Sequence, residues 1–141
     1  MSRTVLVPHD GGESADAALS FALSEYTDTA VTVLHVVEPF PDHIAAGREN
    51  HPAEWRTRAN EHAETVFERA RKIAADHDAE IRTEWVYGRP STEIVTYVEE
   101  NEVDVVVMGS HGKGAITRLI FGSVAESVVR HAPATVTVVR E

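Results

Sequence analysis

Five short runs of β-branched and apolar residues alternate with segments of helical periodicity, and this alternation strongly limits the possible folds. The predicted strands cover residues 5–7, 31–37, 81–86, 103–108 and 135–139. Helical patterns lie between them; the longest covers residues 53–78, and Ser14 is the expected N-cap of the first. Strands that alternate with helices form βαβ units. The sequence therefore predicts an α/β fold: one open, five-stranded parallel sheet with helices on both faces.

Right-handed crossovers leave two natural topologies for such a sheet, a flavodoxin-like strand order 2-1-3-4-5 and a Rossmann-like order 3-2-1-4-5. The chain has 141 residues, and we expect them to form one domain over residues 1–141. No apolar run approaches the length of a membrane span, and the first strand follows the N-terminal methionine almost directly. Cysteine is absent, which excludes disulfides and thiolate metal sites. We therefore expect a cytoplasmic protein that does not bind membranes.

The charge balance is strongly acidic. The chain has 23 acidic and 13 basic residues, a net charge of −10, and its only lysines are Lys72 and Lys113. Non-specific nucleic-acid binding depends on basic residues that neutralise phosphates, so no nucleic-acid partner is expected. Salt screens the repulsion between dispersed acidic groups. The pattern favours a salt-rich cytoplasm, as in a halophilic microbe, over an ordinary acidic protein.

Two unusual loops follow the first and fourth predicted strands, at residues 8–12 and 109–114. Ligands of open parallel sheets bind beyond the carboxyl ends of the strands, where the strand order reverses. Gly109 and Gly112 allow backbone N–H groups to approach an anion, and Gly122-Ser123 stands where the next helix begins, at the positive end of its dipole. From these residues alone, a phosphate site and a set of simple turns with Ser123 as an N-cap are equally compatible with the pattern.

Other familiar chemistries are not supported by the spacing. The chain contains no strict P-loop, no Gly-x-Gly-x-x-Gly after the first strand and no Gly-x-Ser-x-Gly elbow. Its eight histidines are scattered, with no His-x-x-x-His pair, so we expect surface, packing or pocket roles rather than a zinc site. The acidic cluster at Glu99, Glu100 and Glu102 is expected to be a solvated surface.

The spacing Gly109-x2-Gly112-x9-Gly122-Ser123 resembles the ATP-binding signature of the universal stress protein family. Further similarity extends along the chain, from Val5-Leu6-Val7-Pro8-x-Asp10-Gly11 to the closing segment at residues 129–136. One departure is Gly12, where many members carry serine; we expect it to loosen the first loop. The resemblance implies strand order 3-2-1-4-5. It also implies a homodimer through the C-terminal strand, near Val136 and Val138.

The resemblance also implies a set of ATP-binding residues. Asp10 is expected at the ribose or at a divalent ion (Mg²⁺ or Mn²⁺) that accompanies the phosphates. Val36 is expected at the adenine edge, with Pro8 and Met108 near the base or ribose. The phosphates are expected at the glycine-rich loop and the start of the next helix: Gly109, His111, Gly112, Lys113, Gly122, Ser123 and Val124.

Three functions remain open at this point. The first, which we favour, is an ATP-binding homodimeric regulatory protein of the stress response, because no residue is clearly a general base that could activate water. No catalytic residue is therefore assigned, although slow ATP hydrolysis is compatible with such a site. The second is a nucleotide-hydrolysing or nucleotidyl-transfer enzyme on the same scaffold. The third is a dimerisation module that does not bind ATP.

Overall fold

The structure, a computed structural model, describes residues 3–40, 52–112 and 122–140. Within these ranges strands and helices alternate: β1 (Thr4–Pro8), α1 (Glu13–Glu25), β2 (Ala30–Val37), α2 (Pro52–Asp76), β3 (Ile81–Tyr87), α3 (Pro90–Glu100), β4 (Val105–Gly109), α4 (Ser123–His131) and β5 (Thr135–Val139). The five strands form one sheet in the order β3-β2-β1-β4-β5, and all neighbours are parallel. The predicted α/β fold with strand order 3-2-1-4-5 is confirmed.

Helices cover both faces of the sheet, because alternate residues of each central strand point to opposite sides. On one face, α1 and α2 pack against Val5, Val7 and Val33. On the other face, α3 and α4 pack against Leu6 and Leu34. All five of these side chains are fully buried. Burial of such a side chain contributes roughly 1.5–3 kcal/mol. The central strands therefore supply the main apolar contacts of both layers.

Several element boundaries differ from the predictions, most clearly at the start of α1, the start of β4 and the end of α2. The first helix begins at Glu13 with Gly12 as its N-cap, so the prediction of Ser14 as N-cap is wrong. Strand β4 begins at Val105, because the backbone N–H of Val103 still bonds to the end of α3. Helix α2 ends at Asp76, two residues before Asp78 adopts a left-handed conformation (φ 51°).

The strand order reverses at β1, which pairs with β2 on one side and with β4 on the other. Connections from β1 and β4 therefore leave the sheet in different directions, and a crevice opens at their carboxyl ends. No helix within the described ranges combines the length and the apolar character needed to cross a bilayer.

Candidate functional site

A cleft of about 810 Å³ lies at the carboxyl edge of the sheet, above β1, β2 and β4. Its volume is within the usual range for small-molecule sites. The starts of α3 and α4 close its sides, and His62 of α2 and the segment after β2 also line it. The cleft therefore occupies the crevice where the topology favours ligand binding.

Ten of the eleven residues predicted to bind ATP line this cleft. They are Pro8, Asp10, Val36, Met108, Gly109, His111, Gly112, Gly122, Ser123 and Val124. The remaining one, Lys113, lies outside the described residues. Residues that are 115 positions apart in sequence, such as Pro8 and Ser123, thus share one cavity.

The glycine-rich side of the cleft is built from the loop after β4 and the first turn of α4. The N–H of Gly122 donates to the carbonyl of Ser110 at 2.6 Å, which fixes the start of α4 against that loop. Gly122 is the N-cap, and Ser123 and Val124 of the first turn line the cleft. The first N–H groups of a helix have no intrahelical partners and carry partial positive charge. This side is therefore suited to an anion.

Gly109, the last residue of β4, and Gly112, in the loop that follows, have very different surroundings. A Cβ atom on Gly109 would lie 2.2 Å from the hydroxyl oxygen of Ser14 and 2.7 Å from its backbone. Among the described residues, a Cβ atom on Gly112 would meet only the Oδ2 atom of Asp10, at 3.6 Å. Gly109 thus permits close packing against α1, whereas Gly112 leaves open space beside the Asp10 carboxylate.

The first loop is held by its own side chains. The Oδ1 atom of Asp10 accepts a hydrogen bond from the N–H of Gly12 at 3.0 Å. The N–H of Gly11 donates to Nδ1 of His9 at 2.9 Å, and Gly11 has a positive φ of 93° that favours glycine. These two hydrogen bonds fix the conformation of the loop at Gly12, the position where many family members carry serine. They place the carboxylate of Asp10 next to the open space at Gly112.

Buried polar side chains lie directly beneath this loop. His9 is 2% exposed and its Nε2 atom is 2.9 Å from the carboxylate of Asp16. Burial lowers the pKa of His9 and outweighs the opposing hydrogen bond with Asp16. Burial also lowers the pKa of His35, although its ring bonds to the carbonyl of His9. Partial burial alone would raise the pKa of Asp16, but hydrogen bonds from Arg69 and His9 hold it below its ordinary value.

Sequence reasoning assigned no individual role to several residues that line the cleft. Ile94 and Pro90 belong to the start of α3, and Phe40 follows β2. The ring of Phe40 packs against Trp55 and Tyr87, with centroid distances of 6.1 and 5.8 Å. Together with Pro8, Val36 and Met108, these side chains give the cleft a substantial apolar surface. Among the described residues, no group of three or more His, Asp or Glu side chains is arranged to hold a metal ion.

Comparison with known proteins decides the family. The sequence matches the universal stress protein family over residues 1–140. The chain belongs to the universal stress protein family. It is 30% identical to universal stress protein MJ0531 of Methanocaldococcus jannaschii, over 99% of this chain and 82% of that protein. It also superposes on the solved structure of MJ0577, a protein of the same organism, with a TM-score of 0.81 and 31% identity, covering 100% of this chain and 97% of the other.

Two more distant members of the family have been solved with adenine nucleotides. One is a universal stress protein in complex with cAMP, with 22% identity, a TM-score of 0.72 and coverage of 97% and 96%. The other, from Archaeoglobus fulgidus, is in complex with dAMP, with 20% identity, a TM-score of 0.67 and coverage of 98% and 97%. At these identities the likeness to our chain concerns the fold.

Proposed function

We propose that this universal stress protein binds ATP in the cleft and acts as a homodimeric regulatory protein whose signal is nucleotide occupancy. The observation that carries the proposal is the convergence of ten sequence-predicted residues on one cavity at the strand-order reversal. Adenine nucleotides in the cAMP and dAMP complexes support the choice of ligand. We place this activity in the cytoplasm.

The lining of the cleft offers both kinds of contact that a nucleotide needs. The apolar side chains of Pro8, Val36 and Met108 suit the base, and the end of β2 at Val36 supplies backbone polar groups. The loop at Gly112 and the first turn of α4 suit the phosphates, because they line the same cleft and the first N–H groups of a helix have no intrahelical partners.

Asp10 fits a nucleotide that arrives with Mg²⁺ or Mn²⁺. A bare carboxylate beside phosphates would repel them, whereas a divalent ion between the two reverses the sign of the interaction. Mg²⁺ is commonly held by one or two carboxylates together with substrate phosphates and water. The exposed carboxylate of Asp10 lies beside Gly112 on the phosphate side and can supply one such ligand. When bound, the ion would neutralise phosphate charge.

Nucleotide binding is tested directly on the purified protein. The protein is prepared at high salt, denatured, and any released nucleotide is identified. In parallel, ATP, AMP and cAMP are titrated by calorimetry with and without Mg²⁺. We expect a titration heat and a thermal shift for adenine nucleotides, strongest for ATP with Mg²⁺. If none of the three nucleotides gives heat, thermal shift or release, the proposal is rejected.

A matched pair of variants tests the placement of the phosphates. Gly112→Val fills the open space beside Asp10 and should abolish ATP binding while the fold is retained. Ala75→Val also introduces a valine, at an exposed position of α2, and should leave binding unchanged. Normal binding by Gly112→Val would place the phosphates elsewhere. Steady phosphate release that disappears in Asp10→Ala would instead identify an enzyme.

A further inference from the structure

A connected set of polar side chains runs beneath the first loop of the cleft. It starts on α2, crosses α1 and the end of β1, and returns through β2 to α2. Its members in order are Arg69, Asp16, His9, His35 and His62. The ends of the set are seven residues apart on α2, so about two helical turns separate them.

The hydrogen bonds define the protonation state of His9. The N–H of Gly11 can only donate, so Nδ1 of His9 must accept and carries no hydrogen. The carboxylate of Asp16 can only accept, so Nε2 of His9 carries the hydrogen and donates it at 2.9 Å. His9 is therefore the neutral Nε2–H tautomer, with both ring nitrogens in use. Its side chain is completely inaccessible to solvent.

The remaining histidines hold the backbone of His9 from the other side. His35 donates from Nδ1 to the carbonyl of His9 at 2.8 Å, so Nε2 of His35 is an acceptor. His62 faces that nitrogen at 3.3 Å, with the two rings stacked at a centroid distance of 5.3 Å. The N–H of His9 itself donates to the carbonyl of Leu34 at 2.8 Å. Side chain and backbone of His9 are thus both tied to neighbouring elements.

The partner of His9 on α1 is anchored in turn. Arg69 donates to Asp16 from Nε and Nη2, so two nitrogens of the guanidinium bond to the carboxylate. The N–H of Asp16 donates to the carbonyl of Gly12 at 3.1 Å, which ties the same residue to the loop backbone. His9 therefore links the loop of Asp10 to the packed helices α1 and α2.

We infer that His9 is a positioning residue of the nucleotide site: its acceptor nitrogen holds Gly11 and thereby sets the carboxylate of Asp10 toward the cleft. The inference takes its ligand from the proposed function. The contacts that support the inference are independent of that function. Gly11 turns the chain directly after Asp10 with a positive φ, and the Nδ1 atom of His9 is the buried acceptor for its N–H. Without that acceptor, the N–H of Gly11 loses its buried partner, and the loop backbone beside Asp10 is no longer held against the His9 side chain.

Three substitutions at one position separate the two ring nitrogens. The amide oxygen of asparagine reaches the place of Nδ1, so His9→Asn can still accept from Gly11. The amide nitrogen of glutamine reaches the place of Nε2, so His9→Gln can donate to Asp16 but leaves Gly11 without its acceptor. His9→Phe keeps a ring and removes both bonds. His77→Asn, at an exposed position just after α2, is the control.

The experiment measures ATP affinity with Mg²⁺ by calorimetry, and exchange of the Gly11 amide by nuclear magnetic resonance. Loss of a buried hydrogen bond should weaken binding roughly tenfold in His9→Phe and His9→Gln. In both variants the Gly11 amide should exchange faster. His9→Asn should stay within about threefold of the wild type and keep the amide protected, because its amide oxygen restores the acceptor. His77→Asn should be unchanged in both measurements.

The inference is overturned if His9→Phe remains folded and binds ATP as the wild type does. It is also overturned if His9→Asn and His9→Gln weaken binding equally, since a purely structural role would not distinguish them. A wild-type protein that binds no adenine nucleotide would reject the proposed function instead. In that case the exchange of the Gly11 amide in the folded variants still decides whether His9 holds the loop.

Discussion

At the end of β4, Gly109 is needed for packing, whereas Gly112 in the following loop is needed for the proposed ligand site. We expect Gly109→Ala to lower the free energy of unfolding by about 1–3 kcal/mol, because its Cβ atom would collide with the backbone of Ser14. Gly112→Ala should change the free energy of unfolding by less than about 0.5 kcal/mol, since the nearest atom of the described residues would be 3.6 Å away. Urea unfolding of both variants checks this difference. Equal stability of the two would contradict the close packing of Gly109 on α1.

Buried histidines also predict the pH dependence of stability. The pKa values of His9 and His35 are lowered in the folded protein, chiefly by burial. Below the unfolded pKa of about 6.5, the unfolded chain therefore binds more protons, and stability must fall as the pH falls. The slope should reach at most about 1.4 kcal/mol per pH unit for each histidine. Above this window both states are neutral and these groups have no effect.

Urea unfolding between about pH 5.5 and pH 8 measures this slope directly. His77→Asn, which changes an exposed histidine, should keep the wild-type profile. His35→Asn should reduce the acid slope, because one of the two buried groups is removed. A flat profile over this range would show that neither histidine is held neutral by the fold.

Among the elements, local pattern was sufficient for the strands and helices but not for their contacts. Strand β2 was predicted from a run of apolar residues, and seven of its eight residues are indeed buried. Strand order could not be read from such runs, because both candidate topologies bury the same segments; the family signature supplied it. The N-cap of α1 was predicted wrongly because Ser14 is buried against Gly109, a contact between residues 95 positions apart.

Local sequence pattern also identified only part of the cleft. Glycine spacing is a local signal, and the ten described residues predicted from the signature and its flanking landmarks line the cavity. His9 and Phe40 had no such signal, because Asp16, the partner of His9, is itself held by α2, and Phe40 packs on Trp55 of α2. Arg69, for example, reaches Asp16 across 53 positions. Only the packing of α2 on α1 brings these side chains together.

We expect Phe40, in the segment after β2, to contribute to binding of the base, with support from residues of helix α2. Phe40 lines the cleft and is supported by Trp55, and the Arg58 guanidinium lies 4.1 Å from the Phe40 ring centroid. Phe40→Ala should weaken ATP binding about fivefold, as roughly 1 kcal/mol of apolar contact is lost. Calorimetry measures the change. Phe21→Ala, at a partly exposed position of α1, is the control and should bind normally.

At the scale of the whole molecule, the edge strand β5 is suited to the proposed homodimer. Thr135 and Val139 bond to the β4 side of the sheet, since Thr135 donates to Asp104 and Val139 accepts from Ser110. By the alternation of a parallel ladder, the N–H and C=O groups of Val136 and Val138 point away from β4. Both residues sit in the edge strand of the five-stranded sheet, where a second copy can add its own strand.

This alternation gives a matched test of the dimer. Val138→Pro removes an outward N–H and should yield a folded monomer, because edge strands tolerate proline at such positions. Thr137→Pro removes an N–H that bonds to β4 and should destabilise the fold itself. Light scattering and sedimentation measure the mass, and circular dichroism measures folding. A dimeric Val138→Pro protein would place the interface elsewhere.

The net charge of the chain predicts how its stability depends on salt, which bears on the proposed high-salt cytoplasm. With 23 acidic and 13 basic residues, the folded chain carries a net charge of −10 that repels itself when compact. The Debye length shrinks from about 10 Å at 0.1 M salt to about 3 Å at 1 M, so added KCl should raise the free energy of unfolding mainly over this interval. Thermal unfolding across a KCl series measures the effect.

Charge variants separate screening from other effects of salt. Glu99→Gln and Glu100→Gln together remove two exposed charges near the end of α3. This double variant should be more stable than the wild type at low salt and should gain less from KCl, because less repulsion remains to be screened. Equal salt dependence in both proteins would show that KCl acts through apolar burial instead. In that case the acidic surface would be no argument for a salt-rich cytoplasm.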